Sequence, residues 1–89
     1  MKAVVTVVGK DQVGIIAGVC TQLASYNVNV LDISQTVMQG YFTMMMVVDV
    51  SAANLPLAEL AKQIENRGRE MNLSIRLQRE DIFEAMHRV

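Results

Sequence analysis

The segment VVGKDQVGII, residues 7–16, carries the chain from an apolar, β-branched run into a helical pattern. Gly9 and Gly14 stand at the glycine spacing of a phosphate-binding loop. Such a loop continues with Lys and then Ser or Thr, which bind phosphate and magnesium, but two isoleucines follow here. Asp11 would compete with a phosphate for the amides at the helix start. The segment therefore predicts a tight strand-to-helix turn and argues against a nucleotide site.

Asp11 has two interpretations at this turn. It can cap the following helix, which stabilises a helix by about 1 kcal/mol. It can also form a bipolar site with the helix amides, in which the amides attract a carboxylate and Asp11 attracts an ammonium. A free amino acid carries both groups, so a structural and a functional interpretation stay open.

The segments around the turn predict a strand over Lys2–Val8 and a helix over Val13–Tyr26. The strand is almost entirely apolar and β-branched, which is typical of a central strand buried on both faces. The helix has 3.6-residue periodicity, and Asn27, which tolerates the left-handed conformation, ends it. The apolar side of the helix consists of Ile16, Val19, Cys20 and Leu23.

Two further strands follow, Val28–Gln39 and Tyr41–Val50, joined by a turn at Gln39–Gly40. The first carries Leu31, Ile33 and Val37 on one face. The second alternates most clearly in the chain, which predicts one face against helices and one semi-polar face. The face against the helices holds Phe42, Met44, Met46, Val48 and Val50, and the other holds Tyr41, Thr43, Met45, Val47 and Asp49. Met45 on the second face has two equally compatible interpretations, a place in an adaptable interface or simple partial burial.

After a loop over Ser51–Asn54, Pro56 fits the first turn of a second helix, which Asn72 ends. A strand over Leu73–Gln78 and a short amphipathic helix over Glu80–Val89 complete the pattern. The second helix has a buried stripe of Leu57, Leu60, Ala61, Ile64 and Met71, with Gly68 as a close-packing point. The last helix has an apolar side of Ile82, Phe83, Met86 and Val89.

This order predicts a single α+β domain over residues 1–89, with residues 79–89 as a C-terminal helical extension. Right-handed crossovers interleave two βαβ units into a ferredoxin-like βαββαβ sandwich, an antiparallel four-stranded sheet with two helices on one face. The other sheet face has no helix of the two units, so a second subunit or a ligand is expected there.

Composition excludes several classes of function. The 89 residues carry a formal charge of −1 with scattered Lys and Arg, which argues against a nucleic-acid groove. No apolar run reaches the roughly 18 residues that a membrane helix needs. The first strand begins at about residue 2, so no signal peptide is expected and the cytoplasm is the default location. The hydrophobic share of 52% is high for a small monomer and favours a homodimer or a higher homo-oligomer.

The stretch GKDQVGIIAGVCTQLASYNVNVLDI, residues 9–33, resembles the ACT domain, a regulatory module that commonly binds amino acids. It matches a pattern of Gly-x-Asp-x-x-Gly-Ile-Ile/Val followed, about a dozen residues later, by Asn-Ile/Val. The resemblance covers the whole chain, and the ending EDIFEAMHRV looks like that of a small bacterial group with a stand-alone ACT domain. The repressor of the glycine cleavage system carries related domains.

In amino-acid-binding members the ligand lies between two subunits, at the β1–α1 loop and the start of the second strand. The resemblance implies loop contacts from Asp11 and Gly14, with flanking contacts from Gly9, Lys10 and Ile15, and strand contacts from Asn29 and Val30. Several amino-acid sensors of the family have Asn where this chain has Asp11, and Gly is usual at the position of Asn27.

Other candidate sites are weaker. His87 is the single histidine, and Glu84 lies one helical turn before it. One histidine and one glutamate are too few ligands for a metal site, so neither a metal nor a cofactor is predicted. Cys20 lies on the apolar side of the first helix, where a small core residue is expected rather than a nucleophile. No acid–base pair or nucleophile constellation can be assembled, so the chain is not expected to be an enzyme.

The sequence therefore favours a regulatory module that binds a small molecule, an amino acid above all, and acts through dimerisation and a protein partner. The alternative is a dimeric protein-interaction module without a ligand, in which the loop is only structural.

Overall fold

The computed structural model describes residues 1–87. Its elements alternate as the periodicity predicts, with three helices and four strands. They are β1 (Lys2–Lys10), α1 (Ile15–Ser25), β2 (Asn29–Met38), β3 (Tyr41–Asp49), α2 (Leu57–Glu70), β4 (Leu73–Arg79) and α3 (Glu80–Met86).

The four strands form one antiparallel sheet in the order β2-β3-β1-β4. β1 is central and hydrogen-bonded on both sides, and β2 and β4 are the edges. Helices α1 and α2 cover one face of this sheet, and the opposite face is called the open face below. The predicted ferredoxin-like α+β fold is confirmed.

The core lies between the sheet and α1 and α2, and the strand alternation places it there. The predicted inward face of β3, from Phe42 to Val50, is buried throughout, and so are Leu73, Ile75 and Leu77 on β4. The helices contribute Val19, Leu23, Leu60 and Ile64. Met45 is 46% exposed on the open face, whereas its neighbours Met44 and Met46 are buried.

Strand β1 is two residues longer than predicted and is not buried on both faces along its whole length. Val4 is only 5% exposed on the open face, because α3 packs against β1 and β4 at this end of the sheet. The cross-strand partner of Val4 is Gln78, whose Nε2 donates to Met86 Sδ at 3.2 Å. Val8, on the same face but beyond α3, is 48% exposed.

Left-handed residues end the first two helices as expected. Asn27 has φ 61° and Asn72 has φ 59°, each just after its helix. The hairpin between β2 and β3 turns through Gln39 at φ 49° and Gly40 at φ 82°, and two consecutive positive φ angles are the geometry of a tight hairpin turn. All three predicted chain reversals are confirmed.

Strand β2 is an edge with little cover. Leu31, Ile33 and Val37, which share an apolar face in the sequence pattern, are all exposed on this edge strand. A bulge between Val30 and Asp32 also interrupts the alternation.

The apolar side predicted for α3 is only partly covered. Phe83 is half-buried, but Ile82 and Met86 are exposed, and Val89 lies outside the described residues.

Gly68 brings α2 close to β4, and this contact gives a stability prediction. A Cβ at Gly68 would lie 2.7 Å from Ile75 Cγ1 and 2.8 Å from its Cδ1. Overpacking a core contact costs about 1–3 kcal/mol, which exceeds the gain of about 1 kcal/mol in helix propensity from Ala. We expect Gly68→Ala to lower the free energy of unfolding in urea titrations.

Gly18→Ala on α1 is the matched control. There the new Cβ meets the flexible end of Met71 at 3.2 Å, which can move aside, so the propensity gain should leave stability equal or higher. Equal effects of the two substitutions would contradict the close packing of α2 on β4.

Candidate functional site

The β1–α1 turn has an N-cap without a capping side chain. Gly14 is the N-cap at φ 88° and ψ 6°, a left-handed conformation that suits glycine, and no side chain of the described residues caps the helix. The capping interpretation of Asp11 is wrong, because Asp11 lies three positions before the N-cap Gly14 and no side-chain hydrogen bond caps the helix.

The amino end of α1 is consequently a positive helix end that no side chain of residues 1–87 caps. The first turn of α1 carries no acidic residue, and the first amide to bond within the turn is that of Gly18, to the Gly14 carbonyl at 2.8 Å. The start of α2 differs, since Glu59 lies in its first turn and Pro56 supplies no N–H. Of α1 and α2, only α1 therefore begins with amides whose partial positive charge no acidic residue of the first turn offsets.

A cavity of about 300 Å³ lies at this terminus. The structure brings together there three of the predicted site residues, Asp11, Gly14 and Ile15. The remaining lining residues are Gln12, Ile16, Ala17 and Phe42. The sequence motif did not indicate these four, although Ile16 and Ala17 lie within one helical turn of Gly14.

Two hydrogen bonds attach the loop to neighbouring turns. The Asp11 N–H donates to the Gly40 carbonyl at 2.8 Å, so this amide is not available to a ligand. Gln12 Nε2 donates to the Met71 carbonyl at 3.1 Å. Val13 follows these two attachments and is fully exposed. The loop is thus anchored at its base, and its tip projects from the domain.

Gly9 and Lys10 belong to β1 and not to the loop. A Cβ at Gly9 would lie 2.5 Å from Leu73 Cδ2, so this glycine leaves room for the Leu73 side chain where β1 pairs with β4. Lys10 is exposed at the last pair of the β1–β3 ladder, opposite Tyr41. Neither lines the cavity at the start of α1.

Asn29 and Val30 lie at the other end of the sheet from Asp11. Asn29 pairs with Asp49, which pairs with Lys2, whereas the loop leaves β1 after Lys10. Eight residues of strand separate the two ends, which corresponds to a distance of about 26 Å at the usual rise per residue of a β-strand. One copy of the chain does not bring these two parts of the predicted site together.

The Asn29 end of the sheet has its own electrostatic arrangement around Asp49. Hydrogen bonds from Ser51, foremost its backbone N–H at 2.9 Å, lower the pKa of Asp49, and the Met1 ammonium at 3.6 Å adds a smaller effect. The Met1 ammonium also donates to Ser51 Oγ.

The remaining candidates form no site within residues 1–87. Cys20 is half-buried and packs against the core, as expected for a small core residue. His87 stacks on Phe83 with ring centroids 4.3 Å apart, and its Nδ1 lies 2.8 Å from the Phe83 carbonyl oxygen. Among the described residues, no three His, Cys, Asp or Glu side chains cluster as metal ligands, and no helix has the length and apolarity needed to cross a membrane.

Comparisons with known proteins agree with this architecture. The sequence pattern of the ACT domain matches residues 2–78. A UPF0237 protein of Listeria innocua is 49% identical over the full length of both chains. An ACT domain protein from Streptococcus pneumoniae superposes with a TM-score of 0.83 at 47% identity, covering 98% of each chain. A putative glycine cleavage system transcriptional repressor has the same fold in 44% of its chain, covering 88% of this one, with a TM-score of 0.74 at 21% identity.

The contacts of Asp49 predict an acid-sensitive part of the stability. Because its pKa is lowered in the folded state, its contribution is fully present above the ordinary value of 3.8 and is lost as the pH falls through the folded pKa. We expect Asp49→Asn to flatten the dependence of the unfolding temperature on pH below about pH 4. Thermal melts followed by circular dichroism across this range measure it.

Ser51→Ala is the graded control, since it removes the hydroxyl but keeps the backbone N–H that acts most strongly. Its acid dependence should lie between those of the parent and Asp49→Asn. An Asp49→Asn variant with the acid dependence of the parent would contradict the assignment.

Proposed function

The chain belongs to the ACT domain family, and we propose that it is a regulatory module that binds a free amino acid at the start of α1. The observation that carries this proposal is the uncapped amino end of α1, open to a cavity of about 300 Å³ beside Asp11. The proposal assigns the chain no catalytic step, and it places its action in the cytoplasm through a protein partner.

The carboxylate of the ligand would lie at the first-turn amides of α1. A helix amino end carries about half a positive charge, and anions there gain about 0.3–1 kcal/mol at exposed sites and up to about 2 kcal/mol where partly buried. The first turn holds no acid that would compete, in contrast to Glu59 on α2. A carboxylate is therefore expected to bind more favourably at the amino end of α1 than at that of α2.

The ammonium of the ligand would pair with Asp11. The structure gives the Asp11 carboxylate no hydrogen bond or ion pair with any other of residues 1–87, and it lines the same cavity as Gly14 and Ile15. Opposite charges at the two sides of one cavity match a zwitterion better than they match a simple anion. Phe42 and Ile16 provide an apolar wall for a ligand side chain.

The proposed ligand site is completed by a second copy, through antiparallel pairing of the two β2 strands. The outer edge of β2 pairs with no other described strand, and its apolar residues are exposed on both sides, Val37 toward the helices and Met38 on the open face. The β4 edge is different, because Glu65 on α2 already accepts the Leu77 N–H at 3.2 Å. An open, apolar edge strand readily pairs with another chain.

A two-fold axis at the middle of β2 has a consequence for Val30 and Asn29. It places Val30 of one copy opposite Val37 of the other, and Asn29 opposite Met38. Val37 pairs with Phe42, which lines the cavity. The two strand residues that are remote from Asp11 within one chain thereby approach the cavity of the neighbouring copy.

Binding across such a seam would couple the ligand to assembly. A ligand that contacts both copies binds the dimer better than the monomer, so it shifts the population toward the dimer by its differential affinity. Coupling energies of this kind are typically about 1–3 kcal/mol. The change in assembly is the signal that a protein partner would detect.

A thermal-shift screen with the twenty amino acids tests the proposal. A ligand at about 100 times its Kd stabilises by about 2.7 kcal/mol, and each kcal/mol raises the Tm of a small domain by about 4–8 °C. We expect at least one amino acid to raise the Tm at millimolar concentration, and Asp11→Ala to abolish that rise. If none of the twenty amino acids changes the Tm, the result would instead favour the ligand-free interaction module, in which the loop is only structural.

A second variant tests the helix amides themselves. Ala17→Glu places a carboxylate in the first turn of α1, where it should stabilise the free protein by up to about 1 kcal/mol and repel the ligand carboxylate. Ala17→Gln has nearly the same shape without the charge and should keep the ligand-induced rise in Tm. An undiminished rise in Ala17→Glu would contradict binding at this helix end.

A further inference from the structure

We propose that the open face of the sheet packs against the same face of a second copy of this chain, with α3 of each copy filling the part that the other copy's α3 leaves bare. This contact is separate from the β2 edge and does not depend on ligand binding.

The open face carries exposed apolar side chains where α3 does not reach. α3 has seven residues, about 10 Å of helix, and it covers the sheet only near Val4 and Gln78. Beyond it, Val8, Tyr41 and Met45 are exposed on neighbouring strands. Two depressions of about 240 Å³ and 120 Å³ lie over β3, and Met45 lines both.

Helix α3 carries apolar side chains that the sheet of its own chain does not cover. Ile82 and Met86 stand one turn apart, so they share a side of the helix, and both are exposed although α3 packs on the sheet. The same surface therefore carries an apolar helix side without full cover and an apolar sheet region without a helix. A two-fold axis places the apolar side of α3 from each copy against the uncovered sheet region of the other copy. A different protein would need two separate complementary features to do the same.

The charges on this surface are also self-complementary. Lys10 and Arg76 project from the bare part of the open face, and Glu80 and Glu84 are on α3. Within residues 1–87 none of these four forms an ion pair. A second copy brings the acidic helix toward the basic part of the sheet, with Asp32 the acidic residue at the β2 side of that face.

The available area suits a dimer. Four strands about 4.8 Å apart and about nine residues long present roughly 500 Å² after the part under α3 is removed. Two copies then bury about 1,000 Å² or more, the lower limit of specific interfaces.

Molar mass by light scattering tests the proposal. We expect Met45→Lys and Ile82→Glu each to halve the mass of the wild-type assembly, because each places a charge in the apolar contact. Thr21→Lys, on the exposed surface of α1, is the matched control and should keep the wild-type mass. Far-UV circular dichroism checks that the variants, which alter exposed positions, stay folded.

Val37→Lys on the β2 edge distinguishes the two proposed contacts. If Val37→Lys halves the mass while Met45→Lys and Ile82→Glu leave it unchanged, the open-face contact is overturned and the β2 pairing stands. If the reverse holds, the open-face contact stands and the β2 pairing fails. A monomeric wild type overturns the open-face contact, whereas retention of the ligand-induced rise in Tm by Met45→Lys would show that the amino-acid site is independent of it.

Discussion

The pairing of β1 on both of its edges is the constraint on which the rest of the structure depends. β1 holds β3 on one side and β4 on the other, so the two βαβ units share one sheet and one core. Gly9 suits this arrangement, because a side chain there would displace the end of the Leu73 side chain on β4. The arrangement also determines where the chain leaves the sheet, and therefore where the α1 amides and Asp11 meet.

The two halves of the fold are similar in backbone and different in chemistry. Each helix ends at a left-handed asparagine, Asn27 or Asn72, before the next strand. Their amino ends differ, since Glu59 compensates α2 while α1 begins at a bare glycine. The edges differ as well, because Glu65 occupies part of the β4 edge and β2 is open. The features on which the proposed ligand site depends, the α1 amino end and the β2 edge, thus lie in the first unit.

Much of the apolar surface of this small domain is left for other molecules. The core between sheet and helices is complete, but Val37, Met45 and Ile82 are exposed on three different elements. Small domains bury a limited share of their surface, so association is an effective way to stabilise them. The proposed ligand site and the proposed open-face contact use different parts of this surface.

The element order, the inward face of β3 and the three chain reversals at Asn27, Gln39–Gly40 and Asn72 could be predicted from the amino-acid sequence. Those features depend on local alternation and on backbone preferences that a few neighbouring residues contain. The absence of an Asp11 cap, the exposure of β2 and the distance of Asn29 from the loop became visible in the folded chain. These depend on which strands become edges and on how far the helices extend across the sheet. Such properties arise from contacts between residues distant in sequence, and no local pattern encodes them.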